Sequence, residues 1–332
     1  MTSIPLRKSW RSEPSAGPRL TFFCELEPEP LLELFADPLL IPRLQSLGAS
    51  ISLGIMDFSP QRAELVRRLN QAGIPVVAWH LLPMEQGYWY HLGNGEDALN
   101  YYGRLREWTQ EQGLVWDGMG LDLEPDVAEF HLMLQKKHVI PWRILCRCAS
   151  GSMVSAARAT YGQLVERIHG DGYRCDSYEL AFLIDERLTG SELIQRLLRV
   201  TDLPMDRRVT MLYSSFFRPF GVGFMWQYAR DAQSVGVGLT GGGIQLDGWN
   251  QPDVLTWDEF ARDLRLVAQR CPDIHVFSLE GCVRRQFLER LLDFDWHAPT
   301  IPPRGWSLVT SGVRGLLRLG LRLSRLATGS RR

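Results

Sequence analysis

The chain has 332 residues, of which 45% are hydrophobic, 10% aromatic and 23% charged, with a formal net charge of −1. This composition supports a sizeable core, excludes wholesale disorder, and excludes a nucleic-acid binder that works through its whole surface. No apolar run reaches the roughly 18 residues that a bilayer-spanning helix needs, and residues 1–20 hold charges and prolines where a leader peptide would have an apolar core.

Six cysteines are too few for a disulfide scaffold in a chain of this length. Cys146 and Cys148 form a CxC without a second pair at zinc-site spacing. Free thiols in a reducing, cytoplasmic compartment are therefore expected.

Residues 1–18 read as an N-terminal extension. Short apolar runs then alternate with segments of helical period. A strand at 20–27 precedes a helix at 31–47, and a strand at 50–58 precedes a helix at 60–72. A strand at 74–82 leads through an aromatic-rich insertion to a helix at 96–112. A fourth strand at 116–124 opens a mostly helical stretch over 127–170, with a break near Pro141. Strands at 175–184, 208–216, 242–247 and 274–280 follow, each with a helix after it, at 191–200, 223–234, 256–270 and 284–294. Strands that alternate with helices pair in parallel through right-handed crossovers, and eight such units predict an α/β fold, a (β/α)₈ TIM barrel over residues 19–299. The glycine-rich segment 236–243 lacks the GxGxxG placement after a first strand, which disfavours a dinucleotide fold. No cofactor is expected.

Barrel chemistry sits at the carboxyl ends of the strands, and acids recur there: Glu25 and Glu27, Asp122 and Glu124, Asp247, and Glu280. Residues two apart on a strand share a face. In the fourth strand Met119, Leu121 and Leu123 take one face, so Asp122 and Glu124 are expected to face the barrel axis. Glu25 and Glu27 share a face by the same rule. Two carboxylates so close raise the pKa of one of them, which keeps a neutral acid available near pH 7. The competing role for such acids is a salt-bridge network with arginines at the mouth.

The segment Asp117-Gly118-Met119-Gly120-Leu121-Asp122-Leu123-Glu124 resembles the DGxDxDxE signature of family-18 glycoside hydrolases, the chitinases and chitinase-like proteins. In that family the motif lies on the fourth strand of a (β/α)₈ barrel. The resemblance implies that Glu124 protonates the glycosidic oxygen, that Asp122 is its partner and orients a substrate N-acetyl group, and that Asp117 is the outer acid. Gly120 stands where the family has its middle Asp. Met211-Leu212-Tyr213-Ser214 resembles the family's MxYD, with Ser214 in place of the Asp, and would set Tyr213 under the acetamido group. The family's aromatic on the eighth strand is missing, and Glu280 lies near its place.

Chemistry alone leads to a similar site. Glycosidic cleavage needs an acid at the leaving oxygen and a carboxylate, or a substrate amide, near the anomeric carbon. Glu124 supplies the first; Glu280, Asp247 or Glu27 could supply the second. Sugars stack on aromatic rings, which the third loop offers in Tyr88, Trp89, Tyr90 and His91, and the seventh in Trp249. A carbohydrate or a glycolipid is the expected substrate. A second possibility is a divalent-metal-dependent sugar isomerase or epimerase, because His80 with Glu27, Glu124, Asp247 and Glu280 resembles the metal sites of xylose-isomerase-like barrels. No HxH or HExxH spacing supports it, and His80 also fits a hydrogen-bonded barrel histidine. A third is a barrel that binds a glycan or partner without catalysis, in line with Gly120 and Ser214.

Residues 300–332 form a basic tail. From residue 301 on there are seven arginines and no acid. Arg314, Arg318, Arg322 and Arg325 recur at helical spacing among Leu316, Leu317, Leu319, Leu321 and Leu323. Such a helix can lie on an anionic membrane or dock on a partner protein, or simply pack on the barrel.

Overall fold

Runs such as Leu20-Thr21-Phe22-Phe23-Cys24 carry apolar side chains on both faces, as strands covered on both sides must. The computed structural model describes residues 17–129, 151–243 and 253–328. Its strands are β1 (Arg19–Cys24), β2 (Ser50–Ile55), β3 (Val76–His80), β4 (Gly118–Leu123), β5 (Cys175–Leu180), β6 (Arg207–Met211), β7 (Ser234–Gly238) and β8 (Asp273–Phe277). They pair in parallel in sequence order, and β1 meets β8 with Phe23 opposite Phe277, which closes the ring. The protein is a (β/α)₈ TIM barrel.

The helices among the described residues are α1 (Pro28–Leu34), α2 (Leu40–Ser46), α3 (Pro60–Gln71), α4 (Gly95–Gln112), α5 (Gly151–Gly170), α6 (Phe182–Thr189), α7 (Leu193–Leu198), α8 (Gly221–Ala229), α9 (Trp257–Ala268), α10 (Leu279–Arg284), α11 (Phe287–Leu292) and α12 (Arg304–Thr328). Local chemistry sets several starts. Ser59 caps α3 with Pro60 at its first position, and Thr256 with Glu259 forms a capping box on α9.

Several elements differ from the sequence expectation; the sixth strand, for one, stops at Met211, and the last barrel helix is split into α10 and α11. The single helix at 31–47 is two, because Asp37 accepts the Leu39 N–H at 2.9 Å and Pro38 cannot continue a helix. The fifth strand stops at Leu180, and α6 takes the rest of that apolar run. The seventh strand is Ser234–Gly238, not 242–247. Its Val235 and Val237 join the strand–helix core, while Gly236 and Gly238 face inward and leave no side chain to mark the pattern.

Inside the barrel, Phe23, Trp79, Leu81, Tyr178 and Val209 pack together, with Phe23 edge-on to Tyr178 at 4.7 Å. The Tyr178 hydroxyl is hydrogen-bonded to Ser52 and fills the space over Gly120, where an added Cβ would lie 2.4 Å from it. Gly120→Ala is therefore expected to destabilise the barrel by about 2 kcal/mol, as overpacking a filled core does. Urea unfolding would measure this, and an unchanged midpoint would show that Tyr178 has room to move. Below these rings, buried Asp176 pairs with Arg174 at 2.9 Å and Arg207 at 2.5 Å, while Asp273 pairs with Arg207 at 3.2 Å. This ionic floor closes the amino-terminal end and leaves the carboxyl end for chemistry.

Candidate active site

β4 sends Met119, Leu121 and Leu123 into the strand–helix core, and Asp122 points the other way, into the barrel mouth. Its Oδ2 accepts the Trp79 indole N–H at 3.1 Å. Glu124 follows the strand end on the same side and is half-buried. The two carboxyl groups sit side by side in the mouth, close enough that the charge of one bears on the titration of the other. Burial, and then the charges of Glu124 and Glu25, push the Asp122 carboxyl well above the usual range, and burial pushes Glu124 upward as well. The pair thus retains a proton toward neutral pH and titrates as a unit.

Glu25, just past β1, is buried beside this pair and accepts the Tyr88 hydroxyl at 2.6 Å. Tyr88 has a φ of 62°, a left-handed conformation that a bulky residue adopts at an energetic cost. It follows Gly87, and this geometry turns the ring from the third loop back toward Glu25. The base of that corner is pinned by buried Arg62, which donates to the carbonyls of Gly54 at 2.7 Å and Leu26 at 3.0 Å.

Glu280 lies in the first turn of α10 rather than at a strand end, and its carboxyl is buried. The Gly243 N–H reaches its Oε1 at 3.3 Å, while Oε2 has no hydrogen-bond partner among the described residues. Gly242 and Gly243 pass between the acids at positive φ. A Cβ on Gly242 would sit 2.3 Å from Glu280 Oε1, and one on Gly243 2.8 Å from Glu25 Oε2. Glycine is needed here for both conformation and space.

Burial pushes Glu280 up to about 7. A carboxyl raised on folding contributes its full stability below the ordinary carboxylate range and loses it as pH rises through 7. Glu280→Gln should therefore flatten the decline in stability between pH 5 and 8 and be the more stable form at pH 8, by roughly 2 kcal/mol. Urea midpoints at the two pH values test this; parallel pH dependences would refute it.

Tyr213, just beyond β6, is buried against the same acids, and burial followed by the charges of Glu124 and Asp122 pushes its hydroxyl upward. Its ring passes over Gly236 and Gly238 and lies 5.8 Å from Phe277. Trp89 is half-buried and packs edge-on to Tyr88 at 5.8 Å. Asp122, Glu124, Tyr213, Glu280, Glu25 and Trp79 thus converge on the mouth. Among the described residues no arginine or lysine pairs with Asp122, Glu124 or Glu280, so these acids do not form a salt-bridge network.

Other expected site residues lie elsewhere. His80 faces the helix layer, fully buried, with its ring stacked on Tyr102 and Nδ1 3.2 Å from the Tyr90 hydroxyl. Burial lowers it to about 3, so it is neutral. Its neighbour Trp79 takes the inward position instead. Asp117 precedes β4 at the floor and pairs with Arg174 at 3.1 Å, a strand's length from Asp122. Glu27 is exposed at the start of α1, because β1 ends at Cys24 and the chain turns before reaching it. Ser214 turns toward α9 and donates to Asp263. Asp247 and Trp249 lie outside the described residues, as do Cys146 and Cys148. Among the described residues no three His, Cys, Asp or Glu side chains converge as ligands of one ion, and His80 does not join the acids.

No family model matches the chain, and no curated protein matches it. Solved structures share the barrel at low identity. The glycoside hydrolase domain of PgaB (BpsB) from Bordetella bronchiseptica is 12% identical with a TM-score of 0.49, over 84% of this chain and 98% of that one. A mutant tryptophan synthase alpha-subunit from Pyrococcus furiosus is 13% identical with a TM-score of 0.43, over 84% and 97%. A D-allulose 3-epimerase from Methylomonas sp. is 11% identical with a TM-score of 0.39, over 90% and 98%. These likenesses concern the barrel and select no chemistry.

Proposed function

We propose that this barrel is a glycoside hydrolase in which Glu124 is the general acid and Asp122 its buried partner. The observation that carries the proposal is the pair of adjacent carboxyls at the barrel mouth, Asp122 buried and held by Trp79, with no arginine or lysine among the described residues paired to either. A glycosidic oxygen is a poor leaving group until it is protonated, and the acid that protonates it must keep its proton at working pH. Trp79 fixes Asp122, so the pair is oriented before substrate arrives.

In the proposed reaction Glu124 gives its proton to the leaving oxygen as the bond to the anomeric carbon breaks. Glu25, Glu280 or a substrate N-acetyl oxygen stabilises that carbon. Water then adds its oxygen there and returns a proton to Glu124. Tyr213 and Trp89 would hold the sugar. The substrate class is a carbohydrate or the headgroup of a glycolipid.

Release of new reducing ends from N-acetylated and neutral oligosaccharides, with and without EDTA, is the test. Hydrolysis that persists in chelator is expected. Isomerised sugar of unchanged chain length, or activity that vanishes with EDTA, would favour a metal-dependent epimerase instead. One feature favours a non-catalytic glycan binder as the second choice: Tyr178 fills the space over Gly120, where the resembled family has a carboxylate. Glycan binding without any turnover would decide for it.

A further inference from the structure

We propose that the outward face of α12, with the phenylalanines beside it, is a docking surface for an anionic lipid bilayer. The helix packs with its polarity reversed. Its buried side presents Ser307, Thr310 and Arg314 to the barrel, with Leu321 and half-buried Leu317 the apolar exceptions, packed with Leu183, Ile194 and Val200. Arg314 reaches Asp185 at 2.8 Å and Asp231 at 2.9 Å and lies over the Tyr228 ring at 3.9 Å. Arg318 reaches Asp185 at 2.7 Å, and the Gln227 amide donates to Ser307.

Its other leucines and valines point outward. Leu308 is 75% exposed, Leu316 72% and Leu326 78%, and Val313, Leu319 and Leu323 are exposed with them. A helix that only covered a barrel would bury this face. The apolar surface continues past the start of α12, where Trp306 stacks edge-on against exposed Phe220 at 4.5 Å, next to exposed Phe216 and Phe217. Phe216 lies 5.6 Å from Tyr213, so the patch adjoins the mouth of the barrel.

Charge decides the occupant. Residues 301–332 hold seven arginines and no acid; Arg314 and Arg318 pair with Asp185 and Asp231, while Arg304 and Arg322 are exposed on the helix and Arg331 and Arg332 follow it in sequence. An apolar stripe with a basic rim and Trp and Phe at one end matches the acyl boundary, anionic headgroups and interfacial layer of a bilayer. No helix among the described residues is long and apolar enough to cross a membrane, so α12 would lie in the surface plane.

The test is flotation of the full chain with phosphatidylcholine vesicles, with and without added phosphatidylglycerol, alongside light scattering to determine the solution mass. Wild type should float with the anionic vesicles, less so at high salt. A Leu316→Glu/Leu319→Glu/Leu323→Glu variant should float at least about tenfold less, with an unchanged melting curve because all three side chains are exposed. The proposal is overturned if wild type does not float, or if the variant floats equally. It is also overturned if the face is instead covered by a second copy, seen as a dimer that ignores vesicles and that the variant dissociates.

Discussion

Replacing Glu124 with glutamine is expected to lower kcat on a responsive glycoside by about 10²–10⁴-fold, the usual contribution of a positioned general acid. Glutamine keeps the size of the side chain, so the melting temperature should stay within a few degrees. What it lacks is a proton to give. The pH profile provides the second readout. The acid works only while protonated, so kcat/KM should fall as pH rises through the raised pKa of the Asp122–Glu124 pair. Asp122→Asn uncouples the pair, so that limb should move, while the burial that raises Glu124 remains. If Glu124→Gln turns over as fast as wild type, the assignment is wrong. If it is inactive but the basic limb of Asp122→Asn does not move, Glu124 acts without the partner proposed for it.

The parity of β4 made this pair visible in the sequence, because only one of its faces is apolar. Other strands offered no such contrast. Residues 76–82 are apolar on both faces, so sequence parity put Trp79 and His80 on opposite sides without saying which looked inward. The choice between Glu25 and Glu27 turned on where β1 stops, and a boundary of that kind depends on the turn into α1 rather than on side-chain pattern. β7 was obscured for a different reason. Its inward positions are glycines, and a Cβ on Gly238 would lie 2.8 Å from the Phe277 carbonyl oxygen and 3.2 Å from the Tyr213 ring, a crowding set by neighbouring elements. The tail shows the same dependence on distant partners. Its arginines and leucines are interleaved, and only the positions of Asp185 and Asp231 on the barrel decide that Arg314 and Arg318 turn inward.

That inward turn sets the largest expected effect on stability. Arg314→Ala should cost about 3 kcal/mol, the low end for removing one member of a buried ion pair. Asp185 is fully buried, accepts the Tyr228 hydroxyl at 2.5 Å, and relies on Arg314 and Arg318 for its neutralising charge. Arg318 remains in the variant, which is why the upper end of the range is not expected. Removing Arg314 also leaves the Gln227 carbonyl without the donor it has at 2.8 Å. Arg314→Lys keeps the charge but cannot reach Asp185, Asp231 and the carbonyl with one planar fork, so an intermediate loss follows. By contrast, Arg304→Ala, at an exposed position, should stay within about 0.5 kcal/mol. Urea midpoints give the sizes, and limited proteolysis within residues 304–328 shows whether the helix lifts from the barrel. A double-mutant cycle with Asp185→Asn separates the pair from general packing: if the two losses add, the ion pair does not hold α12 down, and the burial of its polar face needs another cause.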